Sequence, residues 1–117
     1  MHDPTEGGVM TGLLEIARAA GTGLAVDLDA IPILMEAATL CREFGLDPLG
    51  TIASGSILLA APEEAAPKLV ATLGAAGYPT ARIGRVTRPK DGLVAMRAGE
   101  RVPWPIYTVD EITKLFA

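Results

Sequence analysis

The sequence predicts an α/β or α+β sandwich, with helices on a mixed sheet. Two observations carry this expectation. Segments of helical period alternate with short strand-like runs in the order α-β-α-β-α-β-β-(β)-α. Glycines and prolines separate the segments as stop and start signals.

The first helix is expected from about Asp3 to Ala20. Asp3 suits an N-cap, Pro4 the first helical position, and Glu6 the reciprocal capping position three residues on. Val9, Leu13, Ile16, Ala17 and Ala20 then recur at helical spacing, and Gly21 supplies the stop. Gly7 and Gly8 do not fit, because each weakens a first turn by roughly 1 kcal/mol relative to alanine. Such a pair serves close approach to the backbone, or φ values that other residues resist; the alternative is a plain loop or frayed start. A helix start with bare amides is also suited to anions.

Leu24, Val26 and Leu28 alternate with Ala25, Asp27 and Asp29, the pattern of a half-buried strand, until Ile31-Pro32 breaks it. A second helix spans roughly Leu34 to Phe44, with Leu34, Ala38, Cys41 and Phe44 on one stripe, so Cys41 reads as core and not as a nucleophile. Gly45 ends that helix, and Asp47-Pro48-Leu49-Gly50 reads as a turn. Ser54-Gly55-Ser56 reads as a turn or as a substrate loop feeding Ile57–Ala61, an apolar run expected as a central strand buried on both faces.

Pro62-Glu63-Glu64 marks the next helix start, with Leu69, Val70, Leu73 and Ala76 as its buried face and Gly77 as its stop. Pro67 leaves two options: the helix proper begins near it, or its first turn is distorted. Strands are expected over Ala81–Val86, Leu93–Arg97 and around Arg101-Val102, the last after an Ala98-Gly99-Glu100 turn. Pro103-Trp104-Pro105 is extended, with Trp104 covering a core edge. A final helix opens with the capping box Thr108-Val109-Asp110-Glu111 and packs Val109, Ile112, Leu115 and Phe116.

Composition narrows the function classes. The chain has 117 residues, enough for one domain with a single core. Half of it is hydrophobic and the mean hydropathy is +0.35, yet glycines, prolines and charges break every run short of the roughly 18–20 residues of a membrane span. The apolar surplus therefore points to a partner domain or subunit. A net charge of −4 with scattered basic residues argues against a nucleic-acid face. A single cysteine forbids an internal disulfide and suits a reducing cytoplasm, and no ligand spacing for a structural metal is present. His2 beside the first motif reads as a general base, a ligand or a bystander.

The string His2-Asp3-Pro4-Thr5-Glu6-Gly7-Gly8-Val9, running into a helix, resembles the start of the C-terminal domain of AIR (aminoimidazole ribonucleotide) synthase-related proteins. Agreement continues over Gly23 to Pro32, Phe44 to Leu49, and Ile83-Gly84-Arg85-Val86. Within that superfamily the similarity is greatest to the hydrogenase-maturation members of HypE type.

The resemblance implies a mixed, roughly four-stranded sheet packed by helices, and places residues 1–117 as one such C-terminal domain. It implies a parent enzyme using ATP and Mg²⁺, bound mostly by a preceding N-terminal domain that is the expected partner, with no cofactor held by this domain alone. Asp3, Thr5, Gly7 and Gly8 would line the cleft, the two glycine amides donating to a phosphate or substrate anion, and Ser54 and Gly55 would form the opposite rim. No catalytic or metal-binding residue is assigned. The ending Lys114-Leu115-Phe116-Ala117 lacks the terminal cysteine of HypE proteins, so a HypE-like paralogue of unassigned substrate is expected. A homo-oligomer is expected where apolar surface awaits the missing domain. The competing expectations are a non-catalytic interaction or dimerisation module with the same fold, and a phosphotransferase domain like that of thiamine-monophosphate kinase.

Overall fold

The computed structural model describes residues 1–116, which fall into two compact units. One unit, residues 22–32 and 60–104, holds the sheet. Its strands are β1 (Gly23–Asp27), β2 (Gly84–Thr87), β3 (Leu93–Arg97) and β4 (Glu100–Val102), in the spatial order β2-β1-β3-β4. β1 pairs antiparallel with β2 and parallel with β3, and β3 pairs antiparallel with β4, so the sheet is mixed as expected. The predicted alternation is visible in burial. Leu24, Val26 and Leu28 are buried, and Val26 stands in register with the fully buried Ala95.

The β3–β4 turn uses Ala98 and Gly99 at φ 54° and 77°, the left-handed pair of a tight hairpin. Alanine resists that conformation. Asp29 steadies it, since its Oδ2 accepts the Ala98 amide at 2.6 Å. Helix α3 (Ala66–Ala75) begins after a 3₁₀ turn at Glu63–Ala65, with Pro67 in its first turn. That settles the proline: the helix starts beside it, where a missing amide costs nothing. Leu69, Val70 and Leu73 are half-buried, whereas Ala76 is exposed. The strand expected over 81–86 is shifted, to Gly84–Thr87. Trp104 is half-buried, with its indole nitrogen enclosed and without a hydrogen-bond partner.

The other unit, residues 1–21, 33–59 and 105–116, holds α1 (Gly8–Ala20) and α2 (Met35–Phe44). Gly21 and Gly45 adopt the left-handed stop conformations expected of them. Met10, Leu13 and Ala17 of α1 are buried, as are Cys41 of α2 and Leu49 of the 3₁₀ turn Pro48–Gly50. The Cys41 thiol lies 4.0 Å from the Thr51 hydroxyl, confirming it as core.

Four expectations fail here, each for a physical reason. α1 begins at Gly8 and not at Asp3, because residues 2–5 are held extended by partners far along the chain. Leu34 and Phe44 stay exposed and Ala38 is half-buried, so only Cys41 of the α2 stripe is buried. The run Ile57–Ala61 is not a doubly buried strand: Ile57 is 61% and Leu59 50% exposed, and its ladder contact is one bridge to His2. A continuous apolar run signals burial without saying by what. The last helix is a 3₁₀ segment, Glu111–Phe116, capped by Asp110 and not by Thr108. An aspartate closes its own turn by accepting from the second following amide, and this wins over the capping box. Val109, Leu115 and Phe116 are exposed rather than packed. Among the described residues no helix is long and apolar enough to cross a membrane.

Candidate functional site

The N-terminal motif forms a paired edge. His2 and Leu58 exchange both main-chain hydrogen bonds, at 2.8 and 2.7 Å. Three residues on, the Thr5 carbonyl accepts from the Ala53 amide at 3.2 Å and from the Gly8 amide at 3.1 Å. Segments 2–5 and 53–58 therefore run antiparallel, and the same carbonyl joins that edge to the start of α1. Between these two anchors Pro4 is fully buried. It packs over Gly12, where an added Cβ would sit 2.8 Å from the Pro4 Cβ and 3.1 Å from Leu58 Cδ1. Gly12 thus lets the motif lie flat on its own helix.

Gly7 and Gly8 have φ values of +79° and +71°, the left-handed region where other residues are strained. At Gly8 an added Cβ would come within 2.8 Å of the Thr51 carbonyl oxygen and 2.9 Å of the Gly50 carbonyl carbon. At Gly8 the close neighbour is this chain's own main chain at 49–51, and at Gly7 it is the Thr11 side chain on the next turn of the same helix. The Gly7 amide donates to the Asp110 Oδ2 at 2.7 Å in a buried setting, and the Gly8 amide to Thr5. Both amides expected to meet a phosphate are engaged internally.

The C-terminal segment reaching Gly7 is tied down beside it. The Glu111 carboxylate accepts from the Asp47 amide at 2.9 Å and from Lys114 Nζ at 2.9 Å. The Tyr107 hydroxyl donates to the Asp47 carboxylate, and the Tyr107 ring covers Gly50, where a Cβ would collide with it. Asp110 and Glu111 are buried at 9% and 8% exposure, unusual for carboxylates unless they are hydrogen-bonded.

The site residues read from the sequence thus separate into three groups. Asp3 and Gly55 line one open depression of about 400 Å³ with Met1, His2, Ser56 and Ile57. Thr5 and Ser54 are exposed on either side of the Thr5–Ala53 pairing. Gly7 and Gly8 are buried behind it. Tyr107, Asp110, Glu111 and Gly12 were missed. A buried acid shows in a sequence only as one more charge, and Asp110 had been absorbed into a local capping box.

Among the described residues no group of three or more His, Cys, Asp or Glu could hold a metal ion. Asp3 is the one carboxylate lining the depression. One carboxylate is too few donors for a metal cage. The exposed hydroxyls of Thr5 and Ser54 and the open turn at Gly55 add hydrogen-bonding capacity along the same edge.

Fold and edge define an α+β domain with a mixed four-stranded sheet and a glycine-started helix behind a polar rim. The chain belongs to the family described as AIR synthase related protein, C-terminal domain, matching it over residues 1–96. Among curated relatives it is similar to carbamoyl dehydratase HypE of Rhizobium leguminosarum bv. viciae, with 36% identity over 98 residues, covering 82% of this chain and 28% of the relative. Carbamoyl dehydratase HypE of Rhodobacter capsulatus is likewise 36% identical over 98 residues, covering 82% of this chain and 29% of that protein. The crystal structure of the hydrogenase maturation protein HypE in complex with ATP superposes with a TM-score of 0.79 at 30% identity, over 92% of this chain and 35% of that one. Escherichia coli HypE gives 0.79 at 27%, over 97% and 36%. The chain therefore spans less than a third of the length of these curated relatives.

Proposed function

We propose that the chain is the C-terminal domain of a HypE-like, ATP-dependent enzyme and contributes one wall of the ATP and substrate cleft. Asp3, Thr5, Ser54 and Gly55 present that wall, and Gly7 and Gly8, buried behind it, order its base. A preceding ATP-binding domain supplies most of the nucleotide and Mg²⁺ ligands. The observation that carries the reading is the Thr5 carbonyl, which joins both predicted rims and the glycine start of α1 into one ordered unit. The family membership and the likeness to a HypE solved with ATP support it.

When bound, Mg²⁺–ATP activates a substrate oxygen by phosphorylation. What this chain's residues do is more limited. Asp3 orients the metal or its waters, Thr5 and Ser54 donate hydroxyls to nucleotide or substrate oxygens, and the ordered edge keeps them in place without further loss of freedom. A wall without a cage binds weakly alone.

Titration of Mg²⁺–ATP into the chain by itself, and into a protein carrying it behind an ATP-binding domain, tests this division. Tight binding is expected only in the second. Submicromolar binding to the chain alone would overturn it. A second reading, a non-catalytic interaction module, draws on the exposed Leu34, Met35, Phe44, Ile57 and Leu59. It wins if the two-domain protein also fails to bind nucleotide.

A further inference from the structure

We infer that residues 57–61 form a free strand edge, through which two copies of this chain pair antiparallel about a two-fold axis at Leu58.

The edge follows from the way the segment is held. Leu58 exchanges both of its main-chain hydrogen bonds with His2, and its side chain packs toward α1 at Gly12. In an antiparallel ladder successive residues turn their N–H and C=O groups to opposite sides. Those of Ile57 and Leu59 therefore face away from His2, and among the described residues no partner meets them. Their side chains are 61% and 50% exposed, and Ala60 and Ala61 are exposed beyond them. Donors, acceptors and apolar surface are thus offered along one line, a template for an added strand.

Exposed edges are ordinarily guarded by charge or proline. The two outer strands of the sheet follow that rule, with Arg85 in β2 and with Glu100 and Arg101 in β4. The run from Leu49 to Ala61 holds neither a charge nor a proline.

The same lack selects the occupant. Two-fold pairing brings each residue close to its own copy, so any charge in the seam would meet its like. The chain carries a net charge of −4, which elsewhere on its surface repels a second copy, and this stretch contributes nothing to that repulsion. A charged partner protein would find nothing here to recognise. With the axis at Leu58, Ile57 exchanges both main-chain bonds with Leu59 of the second copy, and Leu59 does so with Ile57 of the second copy. Their apolar side chains then meet across the seam. The seam is short, so association is weak and governed by concentration.

Amide hydrogen exchange followed by NMR on the full 117-residue chain tests the pairing. Between about 10 µM and about 1 mM chain, exchange of the Ile57 and Leu59 amides is expected to slow about tenfold. The Leu58 amide, bonded within the chain, is protected alike at both concentrations. Ile57→Pro deletes one seam N–H while keeping an apolar side chain, and stays monomeric by sedimentation velocity at the higher concentration. Ile57→Val pairs like wild type. Should the proline variant lose native peak dispersion, Ile57→Lys, which places a charge in the seam of each copy, takes its place with the same expectation. A chain that is monomeric throughout overturns the inference. So does association that leaves the Ile57 and Leu59 amides unprotected, since another surface then carries it. Protection of both amides at every concentration, in a protein that carries the chain behind an ATP-binding domain, overturns it too, because the edge then belongs to that domain.

Discussion

The sheet unit and the helical unit earn their order in different ways. In the sheet, side chains alternate on a local period, and every strand pairs along a ladder of several residues, β3 with β4 across a tight turn and β1 with β2 and β3 from far along the sequence. The start of α1 follows no period and is held by single contacts from residues 43 to 103 positions away: Thr51 and Ala53 on one side, Asp110 on the other. A periodic pattern is redundant and survives the loss of one member. A junction of three distant segments has no spare part, so its mutations should cost more.

Gly8→Ala puts the sharpest strain on that contrast. It adds a Cβ at a φ of +71° and drives it into the 49–51 main chain, two penalties together worth about 4 kcal/mol by urea unfolding. A loss below 1 kcal/mol would mean the junction yields as easily as a loop. Asp110→Ala follows. It leaves the buried Gly7 amide without its acceptor, at a cost of about 2 kcal/mol in the same measurement. In the sheet unit, Asp29→Ala removes the anchor of the Ala98 turn and should cost about 1 kcal/mol, since the flanking ladder persists. Glu6→Gln should change stability by less than about 0.5 kcal/mol, because Glu6 is exposed and lies ahead of the true helix start. A larger loss there would restore the capping box. Dynamic light scattering supplies a last comparison: Ile57→Lys with Leu59→Lys should lower self-association while leaving the urea midpoint nearly unchanged.

The same contrast explains what could be read from the sequence. The alternation of Leu24, Val26 and Leu28 announced β1, and Gly21, Gly45 and Gly77 marked helix ends, because a short window contains all that those features need. Gly7-Gly8 was legible as an anomaly, yet not in its cause. The main chain that crowds Gly8 belongs to residues 49–51, and the acceptor of the Gly7 amide to residue 110, neither of which a local window holds. Ile57 and Leu59 misled for a related reason, since hydrophobicity records that a surface is to be covered and is silent about the cover. The family resemblance supplied the mixed four-stranded sheet. Asp110 lay beyond the region it covered.

Cys41 gives this chain a clock of its own. Its thiol is the only one in the sequence, and it sits 6% exposed beside Thr51, at the back of the turn that meets Gly8. An alkylating reagent in the surrounding solution can reach it only when that turn parts from α2. The rate of labelling under native conditions therefore counts openings of the helical unit directly, with no probe to attach and no second site to subtract.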